Sequence, residues 1–268
     1  MDWKKATHLF FAVTMIAIGV IGLLSGSFAP IWNSVPQTLP GRQLLAYLSS
    51  LVSLVAGAGL LARRSAAPSA LVLFLALLLW TVAFKGRFIV STPLEEVVYQ
   101  SIGENAVLIA AAWLLYVEFA QSRTFPAGDV GLRIAYLIYG LALIAFGLSH
   151  FFYLQMTAPL VPSWLPGHAF WAYLTGCIYL ATGLAIAVGL APHYAAIIAA
   201  LQIALITILV WGPIVFAGNL SAGHWQETIV SWALTAGAWV MATGSPPATG
   251  SIRIPSRQGR LALSDRNR

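Results

Sequence analysis

Four ionisable side chains, His150, His168, His224 and Glu227, fall where the hydropathy pattern puts one edge of a membrane. An ionisable group in or near hydrocarbon is costly, so each needs a partner or a role. His224 and Glu227 are three residues apart and share a face of any helix that begins early enough to hold both. His168, Trp171, Thr175, Tyr179 and Thr182 recur at helical spacing as a polar-aromatic stripe. Tyr139 and Phe146 lie on the face of His150, while Ser231 and Thr235 continue the face of Glu227. If these faces converge, they form a cleft with an acid, several imidazoles and flat aromatic walls. Such a cleft suits a quinone headgroup. Each carbonyl takes a hydrogen-bond donor, and reduction needs a proton source that imidazole and carboxyl groups supply near neutral pH. Aromatic and aliphatic walls hold the ring and tail. The expected quinone-type pocket therefore comprises His150, His168, Trp171, Tyr179, His224 and Glu227, with no residue assigned to catalysis.

Other chemistries use the same residues less well. Three His and one Glu are enough ligands for zinc or iron. No H-x-x-x-H or H-E-x-x-H spacing is present, however, and no metal is expected. The plainest alternative is anchoring of the His and Trp rings in the outer headgroup belt. The first half has Ser25, Arg42 and Ser101 at positions roughly matching the three histidines, and keeps only an acid, Glu104. Lys85 and Arg87 stand near Glu95 and Glu96. They predict interfacial ion pairs, with Glu104 neutralised by Lys85 or Arg87, or else a site for an anion such as a sulfur oxyanion. Glu118 and His8 sit near inner span ends and can snorkel. Haem is disfavoured because imidazoles facing each other at one depth are missing. A secondary transporter is disfavoured because broken mid-span helices are missing, although Pro213 can kink its span.

The elements that must position these groups follow from composition. Of 268 residues, 59% are apolar and only 8% charged, against about 25% charged in a soluble domain. A globule of this size cannot hide that excess, so the solvent for most of the chain is the lipid bilayer. A single cysteine, Cys177, excludes an internal disulfide and any CxxC pair. The net charge of +6 follows topology and gives no reason to expect nucleic acid.

A span needs about 20 mostly apolar residues, and eight segments qualify: Ala6–Ser27, Arg42–Ala62, Pro68–Phe84, Ser101–Ala120, Val130–Phe151, His168–Leu190, His193–Phe216 and Trp225–Thr243. Proline and glycine breakers separate them. The first, although preceded by Lys4 and Lys5, lacks an A-x-A site and is expected to be a retained span. With the N-terminus inside, eleven cationic residues are cytoplasmic: Lys4, Lys5, Arg63, Arg64, Arg123, Arg133, Arg253, Arg257, Arg260, Arg266 and Arg268. Only three, Arg42, Lys85 and Arg87, are outside. Both termini are thus expected in the cytoplasm, and residues 244–268 form a disordered basic tail.

The chain also repeats itself. Val35-Pro-Gln-Thr-Leu-Pro-Gly41 and Val161-Pro-Ser-Trp-Leu-Pro-Gly167 lie 126 residues apart. Ala46-Tyr47-Leu48 against Ala172-Tyr173-Leu174, and Gly57 against Gly183, keep that offset. With small gaps, Gly22-Leu23 answers Gly147-Leu148, Trp80 answers Trp211, Phe84 answers Phe216 and Glu104 answers Glu227. Four spans per half give two like-oriented repeats, 1–122 and 123–243, related by an axis along the membrane normal. The expected fold is an all-α integral membrane protein of eight transmembrane helices in two parallel-repeat four-helix bundles. Small residues such as Gly57, Gly59, Gly176 and Gly183 would sit at the helix contacts.

The stretches Gly147-Leu-Ser-His150-Phe, Thr157-Ala-Pro-Leu-Val-Pro162-Ser-Trp-Leu-Pro-Gly167, Phe170-Trp-Ala-Tyr-Leu-Thr-Gly176 and Ala181-Thr-Gly183-Leu resemble the DoxX-like family of four-helix bacterial membrane proteins. The resemblance covers about Val130–Thr243, with the first half as a degenerate copy. It implies a bacterial inner-membrane protein, a quinone-interacting subunit or accessory of a membrane redox system, with a redox or periplasmic protein partner. A non-catalytic assembly or scaffolding protein without a small-molecule site is the alternative. His150, the V-P-x-W-L-P-G turn and Glu227 are the positions of interest that it singles out.

Overall fold

Apolar stripes on the outer faces declare the solvent. One side of the second long helix exposes Leu44, Leu48, Leu51 and Val55, and one side of the seventh exposes Tyr194, Ile198, Leu201, Leu205 and Ile208. Both sets follow the helical period of three and four. Water penalises such stripes and acyl chains match them. The computed structural model describes residues 3–120, 126–218 and 221–246, which are all-helical and contain no strand.

The long helices are α1 (Trp3–Ser25), α2 (Arg42–Leu60), α3 (Arg63–Ser91), α4 (Glu96–Ala120), α5 (Gly128–Phe152), α6 (His168–Ala187), α7 (Pro192–Phe216) and α8 (Ala222–Thr243). The first seven are long and apolar enough to cross a membrane, so the chain has the build of a multi-pass membrane protein. The eighth has 22 residues but is more polar, carrying His224, Gln226, Glu227, Thr228 and Ser231 in its first half. Its inner half is buried among α1, α4 and α7. The expected basic tail beyond residue 246, Arg123 and Asn219 lie outside the described residues.

Several helices start earlier or end later than the hydropathy alone predicts. Pro68, expected to open the third span, stands inside α3, within two turns of its start, where the missing N–H costs one ladder bond. That helix runs on to Ser91 through a π-helical turn, Thr81–Lys85, which takes Lys85 and Arg87 into the helix. α4 starts at Glu96, not Ser101. A carboxylate in the first turn suits the positive end of a helix, and Glu104 moves from the expected helix start to a place about 12 Å along it. α8 likewise starts at Ala222, where the Ser221 side chain caps it by accepting from the His224 N–H at 3.1 Å.

The helices pack in sequence order, each on the next, and the circuit closes where α8 meets α1. α4 and α8 also pack on each other across the middle, so each touches three long helices. Glycine sets the close crossings. A Cβ on Gly183 would lie 2.7 Å from the Gly140 carbonyl oxygen, and one on Gly147 2.9 Å from the Gly176 carbonyl oxygen, so α5 and α6 touch backbone to backbone. On the other side Gly57 meets α1 in the same way, 2.9 Å from the Ile16 nitrogen.

A second π-helical turn, Thr207–Trp211, lies in α7, 126 residues after the first. Each begins with a threonine whose hydroxyl donates to the carbonyl four residues back, Leu77 or Ile203, at 2.7 and 2.9 Å. In this register Trp211 stands opposite Lys85 rather than Trp80, and Phe216 no longer answers Phe84. Because both helices carry the same turn at one offset, no gap is needed between them there.

Candidate functional site

α5, α6, α7 and α8 splay at one end around a cleft of about 440 Å³, within the range that takes a small organic ligand. His150 enters from the last turn of α5. Its ring stacks on Tyr179 of α6, centroids 5.9 Å apart, and its Nδ1 is buried without a hydrogen-bond partner. Tyr179 is buried and also meets Phe146 of α5 edge-on at 5.9 Å. One turn from the start of α6, Trp171 is held by its indole N–H, which donates to the Pro166 carbonyl at 3.0 Å. Trp164 of the loop, Trp211 of the π turn and Leu205 and Leu209 of α7 complete the apolar wall. Glu227 and Ser231 line the cleft from α8, and Thr175 from α6. Thr207 and Thr235 join α7 to α8 behind them, hydroxyl to hydroxyl at 2.8 Å.

The structure therefore brings together four of the six residues expected in the pocket, His150, Trp171, Tyr179 and Glu227. His168 and His224 are not among its lining residues. His168 is the first residue of α6, immediately after the left-handed Gly167 at φ 72°, and is half-buried. His224 lies in the first turn of α8 and is exposed. Three residues in a helix turn a side chain about 60° away, enough to put Glu227 on the cleft and His224 outside it. His168→Ala and His224→Ala are accordingly expected to leave quinone-analogue affinity within about twofold of wild type, since neither removes a group from the cleft.

Two lining residues come from the other half of the chain. Gln100 and Glu104 of α4 share the cleft with His150 and Glu227, and Glu104 feels the charge of Glu227. The reading of Glu104 as the acid of a separate interfacial cluster changes on this point. Behind it Lys85 is almost fully buried within the protein. Arg87 does not serve Glu104: it donates to the Ser34 carbonyl at 3.3 Å and lies over the Phe88 ring. Nothing in the residue types separated Gln100 and Glu104 from a lipid-facing edge. Their i, i+4 spacing was visible, but the contact of α4 with α8 was not.

A shallower groove lies in the first half of the chain. An apolar groove of about 270 Å³ is lined by Leu45, Ser49, Leu79, Trp80, Ala83 and Phe84. These stand 126 residues before Trp171, Thr175, Leu205, Ile206, Leu209 and Val210 of the cleft. Trp80 packs there against the rings of Phe28, Trp32 and Phe84 in tilted and edge-on contacts. The Trp32 indole is locked inside by donating to Ser53 Oγ at 2.8 Å.

Among the described residues no three His, Cys, Asp or Glu side chains group as metal ligands. Cys177 of α6 is exposed and unpaired. Comparison of the chain with family models, with curated proteins and with solved structures finds no match.

Proposed function

We propose that this chain is a DoxX-like protein of the bacterial inner membrane that holds the headgroup of a quinone-type carrier in the cleft between α5, α6, α7 and α8, as a subunit or accessory of a membrane redox system. The observation that carries the reading is that His150, Glu104 and Glu227 line one cleft whose wall is otherwise mostly aromatic and aliphatic. A planar, weakly polar ring with two carbonyls and an apolar tail matches that division. The polar edge supplies hydrogen bonds and protons, and Trp171, Trp211 and Tyr179 supply flat contact. A free sugar or peptide would leave most of that wall unmatched.

The same proposal includes eight crossings, two like-oriented halves with their boundary near residue 122, and both termini in the cytoplasm. The matched π turns, the left-handed glycines Gly41 and Gly167 before α2 and α6, and the starts of α4 and α8 all recur at 126 residues. The packing obeys the same exchange, since α1 on α8 corresponds to α5 on α4. The excess of Lys and Arg at one set of loops supports the orientation.

Three tryptophans line the cleft, so binding has an intrinsic reporter. Purified protein in lipid nanodiscs, titrated with a short-tailed quinone, is expected to lose part of its tryptophan fluorescence saturably. The saturable part should fall in Trp171→Phe. A linear, unsaturated response identical in both proteins would overturn the reading and leave the assembly role, in which a stable membrane or periplasmic partner co-purifies without any ligand.

A further inference from the structure

Lys85 is about 2% exposed, deep in the first half, and its ammonium is turned toward α4. It donates to the Ser101 carbonyl at 2.7 Å and to Asn105 Oδ1 at 3.1 Å. The Asn105 amide is oriented by its own donation to Thr81 Oγ1 at 2.9 Å. Both acceptors of the ammonium are neutral, so they take two of its three hydrogens but none of its charge, and an uncompensated buried charge is strongly unfavourable. The opposite charge beside it is that of Glu104, the neighbour of Asn105 on α4, which acts on it electrostatically without a direct ion-pair contact. Glu104 in turn faces Glu227 across the cleft. A cation and two acids thus run in a row from α3 through α4 to α8. In the second half Trp211 occupies the place of Lys85, the last residue of the π turn, and is itself part of the cleft wall.

We infer that Lys85 is the counter-ion of Glu104 and acts on the cleft through it: the first half, whose own groove is apolar, supplies a charge-compensated carboxyl group to the ligand site of the second. Lys85 is a positioning residue and does not line the cleft. The inference rests on the reading of the cleft as a ligand site, and it makes that site a joint product of both halves.

The test is a double-mutant cycle on the full chain in nanodiscs: wild type, K85M, E104Q and K85M/E104Q, each measured for thermal midpoint without ligand and for affinity toward the short-tailed quinone. K85M is expected to weaken binding about tenfold in the wild-type background and less than about twofold in the E104Q background, because its effect passes through Glu104. It should also lower the midpoint by more in the wild-type background than in E104Q. A Lys85 that only ties α3 to α4 would cost the same in both backgrounds, in affinity and in midpoint, and that additivity overturns the inference. If wild type binds no quinone, the ligand reading fails, while the midpoints still decide whether Lys85 and Glu104 are paired. Where K85M does not assemble, K85Q, which keeps a donor for Ser101 and removes the charge, takes its place in the cycle.

Discussion

His150→Phe and Glu227→Gln are each expected to weaken quinone-analogue binding about tenfold, and the double variant about 100-fold. One hydrogen bond to a ligand contributes about 0.5–1.5 kcal/mol net, and more when a partner is charged, while 1.4 kcal/mol is about tenfold in affinity. The two groups come from different helices, α5 and α8, and no hydrogen bond joins them among those resolved, so their effects should nearly add. Phenylalanine at 150 keeps the stack on Tyr179 and removes both ring nitrogens. Its effect therefore separates hydrogen bonding from packing. His150→Ala removes the ring nitrogens together with the stack on Tyr179, so it should lower the thermal midpoint as well. The measurement is the same fluorescence titration, and equal affinity in all four proteins would remove these residues from any ligand site.

Gly183→Ala is expected to destabilise the protein by about 1–3 kcal/mol, the usual cost of overpacking a tight contact. The added methyl would meet the Gly140 carbonyl at 2.7 Å and the Ile144 nitrogen at 2.9 Å. Both are backbone atoms of a helix and cannot yield singly, so α5 and α6 must move apart as units. His150 and Tyr179 stand on those two helices and would separate with them, weakening ligand binding together with the lowered midpoint. Gly86→Ala is the control. A Cβ there meets only the Thr81 carbonyl oxygen, at an ordinary 3.7 Å, and in a helix alanine is the better residue by about 1 kcal/mol. The comparison of thermal midpoints in one detergent decides it: a Gly183→Ala protein as stable as wild type would mean that α5 and α6 do not approach this closely.

The membrane-like character and the approximate places of the long helices were legible because apolar runs and proline breakers are properties of short windows. Helix ends were less so. Charged and polar residues at Arg63-Arg64, Glu95-Glu96 and Lys85–Arg87 read as loop, yet a membrane helix carries such residues at its ends, where cations snorkel and acids meet the positive helix terminus. The π turns were invisible to any analysis by the 3.6-residue period, and they decide which residues of α3 and α7 face inward. Of the site, the stripe Trp171, Thr175 and Tyr179 and the pair His150 and Glu227 could be found because each lies on a polar line within a single helix. Glu104 could not be placed, since its membership depends on α4 crossing α8, a contact between residues more than a hundred positions apart. His168 and His224 were drawn in by depth alone, and depth does not fix the direction in which a side chain points.

The most direct measurement is photolabelling of the purified full chain with an azido-quinone, followed by peptide mapping and competition with unlabelled quinone. Label is expected on the α5, α6 and α8 segments around His150, Trp171 and Glu227, and on α4 around Glu104, with all of it displaced by competitor. Label confined to the lipid-facing stripe of Leu44, Leu48, Leu51 and Val55, or spread over the helices and indifferent to competitor, would contradict a quinone site in the cleft.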